Sequence, residues 1–131
     1  MEFVNLKDLA IPESKSVRRN GYRGVLSIVN SKNGKRLAIS QEVVDTCGLG
    51  DEICIFFGDD SLVISNKTPD CTVTFFTKTS GQKLLVYSAG LVEEISQKYQ
   101  LDFTDVSCIT FWDVEYFETE NIVVAVVKLV D

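Results

Sequence analysis

The sequence predicts one mainly β domain with short helices. The chain has 131 residues, of which 45% are hydrophobic, and this is enough to form one buried core. Runs of β-branched and aromatic residues alternate with turn-forming residues along most of the chain, as they do in antiparallel β proteins. Apolar residues at helical spacing occur in two short segments, so we expect two short helices.

The first 24 residues predict an N-terminal arm. They include Pro12 and Gly21 and show no sustained apolar periodicity. A short turn of helix is expected near residues 4–9. We therefore treat residues 1–24 as an arm or extension and expect the folded domain to begin at residue 25.

Residues 25–67 predict a first unit of strand, turn, strand, helix and hairpin. Asn33-Gly34 is typical of a tight turn between two strands. Val43, Val44 and Cys47 form one apolar face of a short helix. In chain order, the unit comprises strand 25–29, a turn at 31–34, strand 36–39, a helix between its cap Ser40 and Gly48, and strands 53–57 and 62–65. A linker around Pro69 follows the unit.

The second half repeats this pattern, and we predict a second, diverged unit over residues 71–131. Ser80-Gly81 follows Asn33-Gly34 by 47 residues, and residues 105–111 match residues 51–57 at a spacing of 54. Chance alignment of short β-rich segments is the alternative. The predicted elements are strand 71–76, a strand from Lys83, a helix with the face Leu91, Val92 and Ile95, a strand over 105–111 and a last strand over 122–127.

Composition argues against several classes of function. The chain has no histidine, which removes the commonest general base and the commonest metal ligand, so we predict no catalytic residues, no metal and no cofactor. No apolar run is long enough to span a membrane, and the first residues do not form a secretion signal, so we expect a cytoplasmic protein. The cysteines are then expected to be reduced and to act as small buried hydrophobic residues. They are Cys47, Cys54, Cys71 and Cys108.

Charge is distributed unevenly along the chain. The net charge is −6, yet residues 1–36 hold eight basic and three acidic side chains, and all four arginines. A basic first quarter in an acidic protein indicates a specific cationic arm or face. A solvated terminus that carries a few charges is the alternative.

Two segments of the first unit resemble a known family. Gly34-Lys35-Arg36-Leu37-Ala38-Ile39, a short helix, and then Cys47-Gly48-Leu49-Gly50-Asp51-Glu52-Ile53 are similar to the AbrB/MazE/SpoVT-type swapped-hairpin domain. The resemblance covers about residues 25–67. In that family two chains interleave their hairpins into a small β-barrel whose basic loops face DNA. The resemblance therefore implies that this chain forms such a barrel as an intramolecular pseudo-dimer of its two units.

The sequence departs from the family pattern in three places. Ser40 stands where the family usually has proline, and Cys47 stands where it usually has leucine. In the second unit, Gln82-Lys83 replaces the basic pair Lys35-Arg36. The second unit is therefore expected to keep the fold while making weaker contacts with DNA.

The resemblance and the charge together predict a bacterial or phage transcription regulator that binds duplex DNA. We expect the turns at 31–36 and 78–83 and the arm at 18–23 to lie toward one end of the barrel, where their cations bind phosphates. For Lys35 and Arg36, the ordinary solubility of a hairpin turn is the alternative. The predicted DNA-binding residues are Arg18, Arg19, Arg23, Lys32, Lys35, Arg36, Lys78 and Lys83.

A non-catalytic protein-interaction module is the alternative function. It would keep the barrel and hold a protein partner through its acidic, aromatic C-terminal half, as an antitoxin-like or scaffolding protein. Adjacent aromatics such as Phe56-Phe57 cannot both point into the core, because successive strand side chains alternate between faces. Some aromatics should therefore cover a second surface, which is also consistent with a homodimer.

Overall fold

The computed structural model describes residues 16–20, 24–119 and 121–130. The predicted helical turn near residues 4–9 lies outside these ranges. The described residues form eleven strands and two helices: β1 (Ser16–Asn20), β2 (Leu26–Ser31), β3 (Gly34–Ser40), α1 (Gln41–Cys47), β4 (Glu52–Phe57), β5 (Ser61–Asn66), β6 (Phe75–Phe76), β7 (Lys78–Ser80), β8 (Lys83–Tyr87), α2 (Ala89–Lys98), β9 (Cys108–Phe111), β10 (Asp113–Thr119) and β11 (Ile122–Lys128).

These strands form two antiparallel sheets. Sheet A has the strand order β1-β10-β11-β5-β4-β6, and sheet B has the order β7-β8-β3-β2-β9. The prediction of a mainly β fold with two short helices is confirmed. No closed barrel is found among the described strands, because the edge strands β6 and β7 end their sheets without pairing with each other. Two open sheets therefore stand in place of the barrel that the family resemblance implies.

One hydrophobic core joins the inner faces of the two sheets. Leu37 and Ile39 of β3 belong to it from sheet B, and Ile55 and Phe57 of β4 belong to it from sheet A. These residues are two positions apart because every second side chain of a strand faces the same side. Helix α1 contacts β3, β8 and β11, and α2 contacts β2 and β3. The helices bury the predicted apolar positions Val43, Cys47, Leu91, Val92 and Ile95.

The two halves of the chain meet through strands that correspond in sequence order. In sheet B, β3 of the first half pairs with β8 of the second half. In sheet A, β5 of the first half pairs with β11 of the second half. Each sheet therefore contains strands from both halves of the chain.

The second half departs from the predicted repeat in two segments. Residues 105–111 do not correspond to 51–57, because Cys108–Phe111 pairs with β2 in sheet B while β4 belongs to sheet A. β10 forms a hairpin with β11 as β4 does with β5, so β10 takes the place predicted for residues 105–111. Of the predicted strand 71–76, only Phe75–Phe76 pairs with β4. Short apolar strands look alike in sequence, so a spacing of 54 residues does not identify the sheet.

The segment that joins the two halves is tied to β4. Cys71 forms a disulfide with Cys54, so the prediction of reduced thiols is wrong for this pair, whose proximity arises only when the linker folds back on β4. Thr74 Oγ1 lies 2.7 Å from one carboxylate oxygen of Glu52, and Lys67 Nζ lies 3.4 Å from the other. The hydrogen bond from Thr74, followed by that from Lys67, lowers the pKa of Glu52.

Candidate nucleic-acid interface

The outward surface of sheet B holds three of the predicted DNA-binding residues. Leu37 and Ile39 of β3 face the core, so Arg36, Ala38 and Ser40 face outward. The strand registers extend this surface into three rows, and we call it the basic face. The rows are Tyr87, Arg36, Val29 and Cys108, then Lys78, Leu85, Ala38, Ser27 and Thr110, then Ser80, Lys83 and Ser40.

Arg36, Lys78 and Lys83 are the charged residues of the basic face. No acidic side chain belongs to its three rows, and the Glu42 carboxylate lies beside them in the cleft that Ser40 and Lys83 line, so a phosphate backbone is attracted most strongly away from that cleft. The spacing of 47 residues between Asn33-Gly34 and Ser80-Gly81 also separates Arg36 from Lys83. About four residue steps and one strand spacing separate these two residues, so their Cα atoms lie roughly 14 Å apart.

Lys35 lies apart from the basic face. It precedes Arg36 by one residue, so its side chain leaves β3 on the opposite side. Its Nζ lies 2.8 Å from Oε1 of Glu93 on α2. The hydrogen bond from Lys35, and then its positive charge, lowers the pKa of Glu93. The charge of Lys35 is therefore partnered within the fold, although Lys35 and Arg36 are adjacent in sequence.

The two hairpin turns lie at opposite ends of the basic face, in contrast to the expectation that they lie together. Because β3 and β8 are antiparallel, the turn before β3 lies beside the end of β8, and the turn before β8 lies beside the end of β3. Counted along the registers, about nine residue steps, or roughly 30 Å, separate the turns. Lys32 is exposed in the first turn, and Gly81 in the second has a φ of 60°, which favours glycine.

The predicted arginines of the arm do not belong to sheet B where the structure describes them. Arg18 and Arg19 lie in β1, whose backbone pairs with β10 at the edge of sheet A. Arg23 lies outside the described residues. The described arginines of the arm and the basic face are therefore on different sheets.

An open cleft of about 580 Å³ lies at the end of the basic face where β3 meets α1. Ser40, Lys83 and Trp112 line it together with Glu42 of α1. Trp112 directly follows β9 and is 47% exposed. Ser40 occupies the predicted cap position, but its buried hydroxyl makes no hydrogen bond with the described residues. The cleft therefore combines an aromatic ring, a cation, a carboxylate and an unpartnered hydroxyl.

Sequence reasoning did not assign the two exposed aromatic residues of this region. Tyr87 is 58% exposed and lies beside Arg36 in the register of β3 and β8. The alternation of Lys83, Leu85 and Tyr87 is visible in the sequence and is the signal that would have found Tyr87. Trp112 had no such signal, because β9 resembles β4 in sequence but belongs to the other sheet.

Two cysteines of the described residues carry free thiols. Cys47 is buried, as predicted, and Cys108 is exposed, in contrast to the prediction. Burial raises the pKa of the Cys47 thiol to about 12, so this thiol stays protonated at neutral pH. A protonated thiol is a poor nucleophile, and Cys47 is therefore a core residue.

The described part of the chain has neither a cluster of metal ligands nor a helix that could span a membrane. Within residues 16–20, 24–119 and 121–130, three or more potential metal ligands do not cluster at any point. Neither helix of this described part has the length and apolarity that crossing a bilayer requires.

No family model, no curated protein and no solved structure matches the chain. Function must therefore be inferred from the basic face and from the fold that presents it.

Proposed function

We propose that this protein is a non-catalytic, AbrB-like DNA-binding regulator of a bacterium or phage, and that it contacts duplex DNA through the basic face. The observation that carries the proposal is the grouping of Arg36, Lys78 and Lys83 on a sheet surface without acidic residues. The chain as a whole has a net charge of −6. On an acidic protein, a cationic surface is the part that attracts phosphates, while the acidic remainder of the molecule repels them. The protein therefore approaches DNA with this surface first.

The strand order of the two sheets supports an intramolecular pseudo-dimer as part of this proposal. In sheet B β3 pairs with its counterpart β8, and in sheet A β5 pairs with its counterpart β11, as two interleaved hairpin units would. Arg36 and Lys83 are then the same position in two copies. Regulators with two-fold symmetry present equivalent contacts to the two halves of a DNA site, so this pair is the natural centre of the interface.

The dimensions of the basic face also support binding to a duplex. Its two turns lie roughly 30 Å apart, close to the helical repeat of about 34–36 Å. Lys32 is exposed in the turn next to Arg36, and it adds a further phosphate contact at that end. Arg36 has a planar guanidinium group that can donate two parallel hydrogen bonds to a guanine edge.

The proposal places the protein in the cytoplasm, where it meets DNA. Cytosolic thiols are kept reduced, so the Cys54–Cys71 disulfide is unusual for such a location. Cys54 belongs to sheet A and Cys71 to the segment between the halves. Neither cysteine contributes a side chain to the basic face, so DNA binding is proposed to be independent of the disulfide.

Fluorescence anisotropy of a labelled mixed-sequence duplex tests the proposal. The wild type and the variant Arg36→Ala, Lys78→Ala, Lys83→Ala are titrated at about 50 and 200 mM salt. Wild-type affinity is expected to fall steeply with salt, because each bound phosphate releases counterions. Loss of three phosphate contacts should make the negative slope of log affinity against log salt less steep by about 2 to 3.

The control is the variant Lys67→Ala, Lys98→Ala, Lys128→Ala, which removes the same charge from other surfaces. It is expected to keep the wild-type slope. Circular dichroism checks that both variants are folded. Equal weakening of both variants, or no binding by the wild type at the lower salt, would contradict a duplex interface on the basic face.

A protein partner or a second copy of the chain is the second candidate. Phe76 in the edge strand β6 is 76% exposed, and Val73 in the preceding segment is 47% exposed. Apolar side chains beside an unpaired strand edge favour association with another polypeptide. If the wild type sediments as a dimer and Phe76→Ser sediments as a monomer, a second copy binds at this edge. A monomeric wild type would exclude a self-associating edge.

A further inference from the structure

We infer that the basic face prefers DNA with unpaired bases, and that Tyr87 and Trp112 are platforms on which two of those bases stack. The inference rests on the proposed DNA-binding function and goes beyond it by adding a preference for single-stranded or locally opened DNA over the closed duplex. Proteins that hold single strands combine a positively charged surface with exposed aromatic rings, because every base has a face that stacks. The basic face has both features.

At one corner of the basic face, an aromatic ring lies beside a guanidinium group. Tyr87 and Arg36 are directly opposite each other in the register of β8 and β3, which places their Cβ atoms about 5 Å apart. Tyr87 is 58% exposed. Its ring offers a stacking surface for a base, and the guanidinium group of Arg36 offers both a flat face and a phosphate ligand.

At the opposite corner, Trp112 forms one wall of the cleft of about 580 Å³. Lys83 brings positive charge to this cleft, while Glu42 brings a carboxylate that accepts a hydrogen bond from the Tyr116 hydroxyl at 2.9 Å. A carboxylate repels a phosphate but accepts a hydrogen bond from the exocyclic amino group of a base. The cleft therefore suits a base next to Trp112, with the adjoining phosphate near Lys83.

Small side chains lie between the two aromatic corners. The line from Tyr87 to Trp112 crosses Ala38 and Ser27, whose small side chains leave room for a bound strand between the two rings. About four residue steps and three strand spacings separate the corners, or roughly 20 Å. An extended strand of a few nucleotides can lie across this distance with a base at each end.

A fully paired duplex cannot stack its bases on Tyr87 and Trp112. Inside a duplex, the faces of each base are covered by its stacked neighbours, so a protein ring reaches them only where the stack is opened. Unpaired bases expose both faces and can be splayed onto aromatic side chains. Tyr87 and Trp112 therefore favour single-stranded or locally opened DNA over a closed duplex.

The fluorescence of Trp112 tests the inference directly, because Trp112 is the single tryptophan of the chain. The unlabelled wild-type protein is titrated with a mixed-sequence single-stranded DNA, with the corresponding duplex, and with an RNA strand of the same sequence. Single-stranded DNA is expected to quench the emission and to bind at least about tenfold more tightly than the duplex.

Three single variants are compared by anisotropy with labelled single-stranded DNA and labelled duplex. Tyr87→Ala and Trp112→Ala are each expected to weaken binding of the single strand about 5- to 100-fold, as removal of one stacking platform typically does. Duplex binding should change much less. Phe76→Ala is the matched control, since Phe76 is exposed but lies on sheet A. Circular dichroism checks that each variant is folded.

The outcomes separate this inference from the function on which it rests. If single strand and duplex bind equally and both aromatic variants behave like Phe76→Ala, the preference for unpaired bases is overturned while duplex binding stands. If no nucleic acid binds at low salt, both proposals are overturned. Tighter binding of RNA than of single-stranded DNA overturns the assignment to DNA.

Discussion

Replacing Tyr99 by phenylalanine is expected to destabilise the fold by about 1–2 kcal/mol. Tyr99 directly follows α2 and is 5% exposed. Its hydroxyl lies 2.8 Å from the carbonyl oxygen of Gly58 and 3.0 Å from that of Ser61, in the turn between β4 and β5. This side chain therefore ties the second half of the chain to the first half.

The loss of stability depends on which hydrogen bonds the two carbonyl groups retain in the Tyr99→Phe variant. The Ser61 carbonyl also accepts the Gly58 N–H at 2.8 Å, so it retains a hydrogen bond. The Gly58 carbonyl loses its tyrosine donor at a buried position. A net hydrogen bond contributes about 1 kcal/mol and an unpartnered buried group costs about 1–3 kcal/mol. For a chain of this length, each kcal/mol lowers Tm by about 3–5 °C.

Urea denaturation followed by circular dichroism measures this loss. Tyr87→Phe is the matched control, because it removes the same hydroxyl from a residue that is 58% exposed. The control is expected to change the free energy of unfolding by less than about 0.5 kcal/mol. A Tyr99→Phe variant as stable as the control would refute the contribution of the buried hydroxyl.

The same residue predicts how stability changes at high pH. Burial, and then the negative charge of Asp60, raises the pKa of Tyr99 above its ordinary value. Above about pH 10 the tyrosine of the unfolded chain loses its proton while the folded chain retains it. The free energy of unfolding therefore declines as the pH rises beyond that point. In Tyr99→Phe this decline should be shallower, and an unchanged decline would contradict the raised pKa.

Two further predictions concern close contacts elsewhere in the fold. Gly24→Ala is expected to cost about 1–3 kcal/mol, because a Cβ there would overlap the Thr110 methyl group. Adding Thr110→Ser removes that methyl group, keeps the hydroxyl that lies 2.9 Å from Ser27 Oγ, and should recover most of the loss in urea denaturation; simple addition of the two losses would contradict the overlap. Cys71→Ser is expected to cost up to about 3 kcal/mol in a non-reducing melt, because the disulfide closes a loop between residues 17 apart. The exposed thiol variant Cys108→Ser is its control, and equal stability of the two variants would contradict a stabilising disulfide.

Local patterns predicted the features that neighbouring residues determine. Val43 and Cys47 are buried as expected, because helical spacing places both on one side of α1. Phe56 and Phe57 point to opposite faces of sheet A, as the alternation of strand side chains requires. Phe57 packs in the main core, and Phe56 packs with Val63 in a second apolar cluster on the other side of sheet A. The same alternation separates Lys35 from Arg36, and it was available in the sequence.

Long-range pairing determined the features that local patterns could not. The apolar run of β9 fits either sheet, and only its pairing with β2 places Trp112 at the end of the basic face. Lys35 meets Glu93 across 58 residues, and Cys54 meets Cys71 only because the linker folds back on β4. No residue spacing in the chain selects these partners from the alternatives.

The separation of the two turns is a direct consequence of how β3 pairs with β8. The two strands are antiparallel, so their starts lie at opposite ends of the ladder. The basic face therefore has two ends with different chemistry, Tyr87 and Arg36 at one and Trp112 and Lys83 at the other. A DNA strand bound across that surface meets different side chains in its two orientations, and the proposed interface consequently distinguishes strand direction.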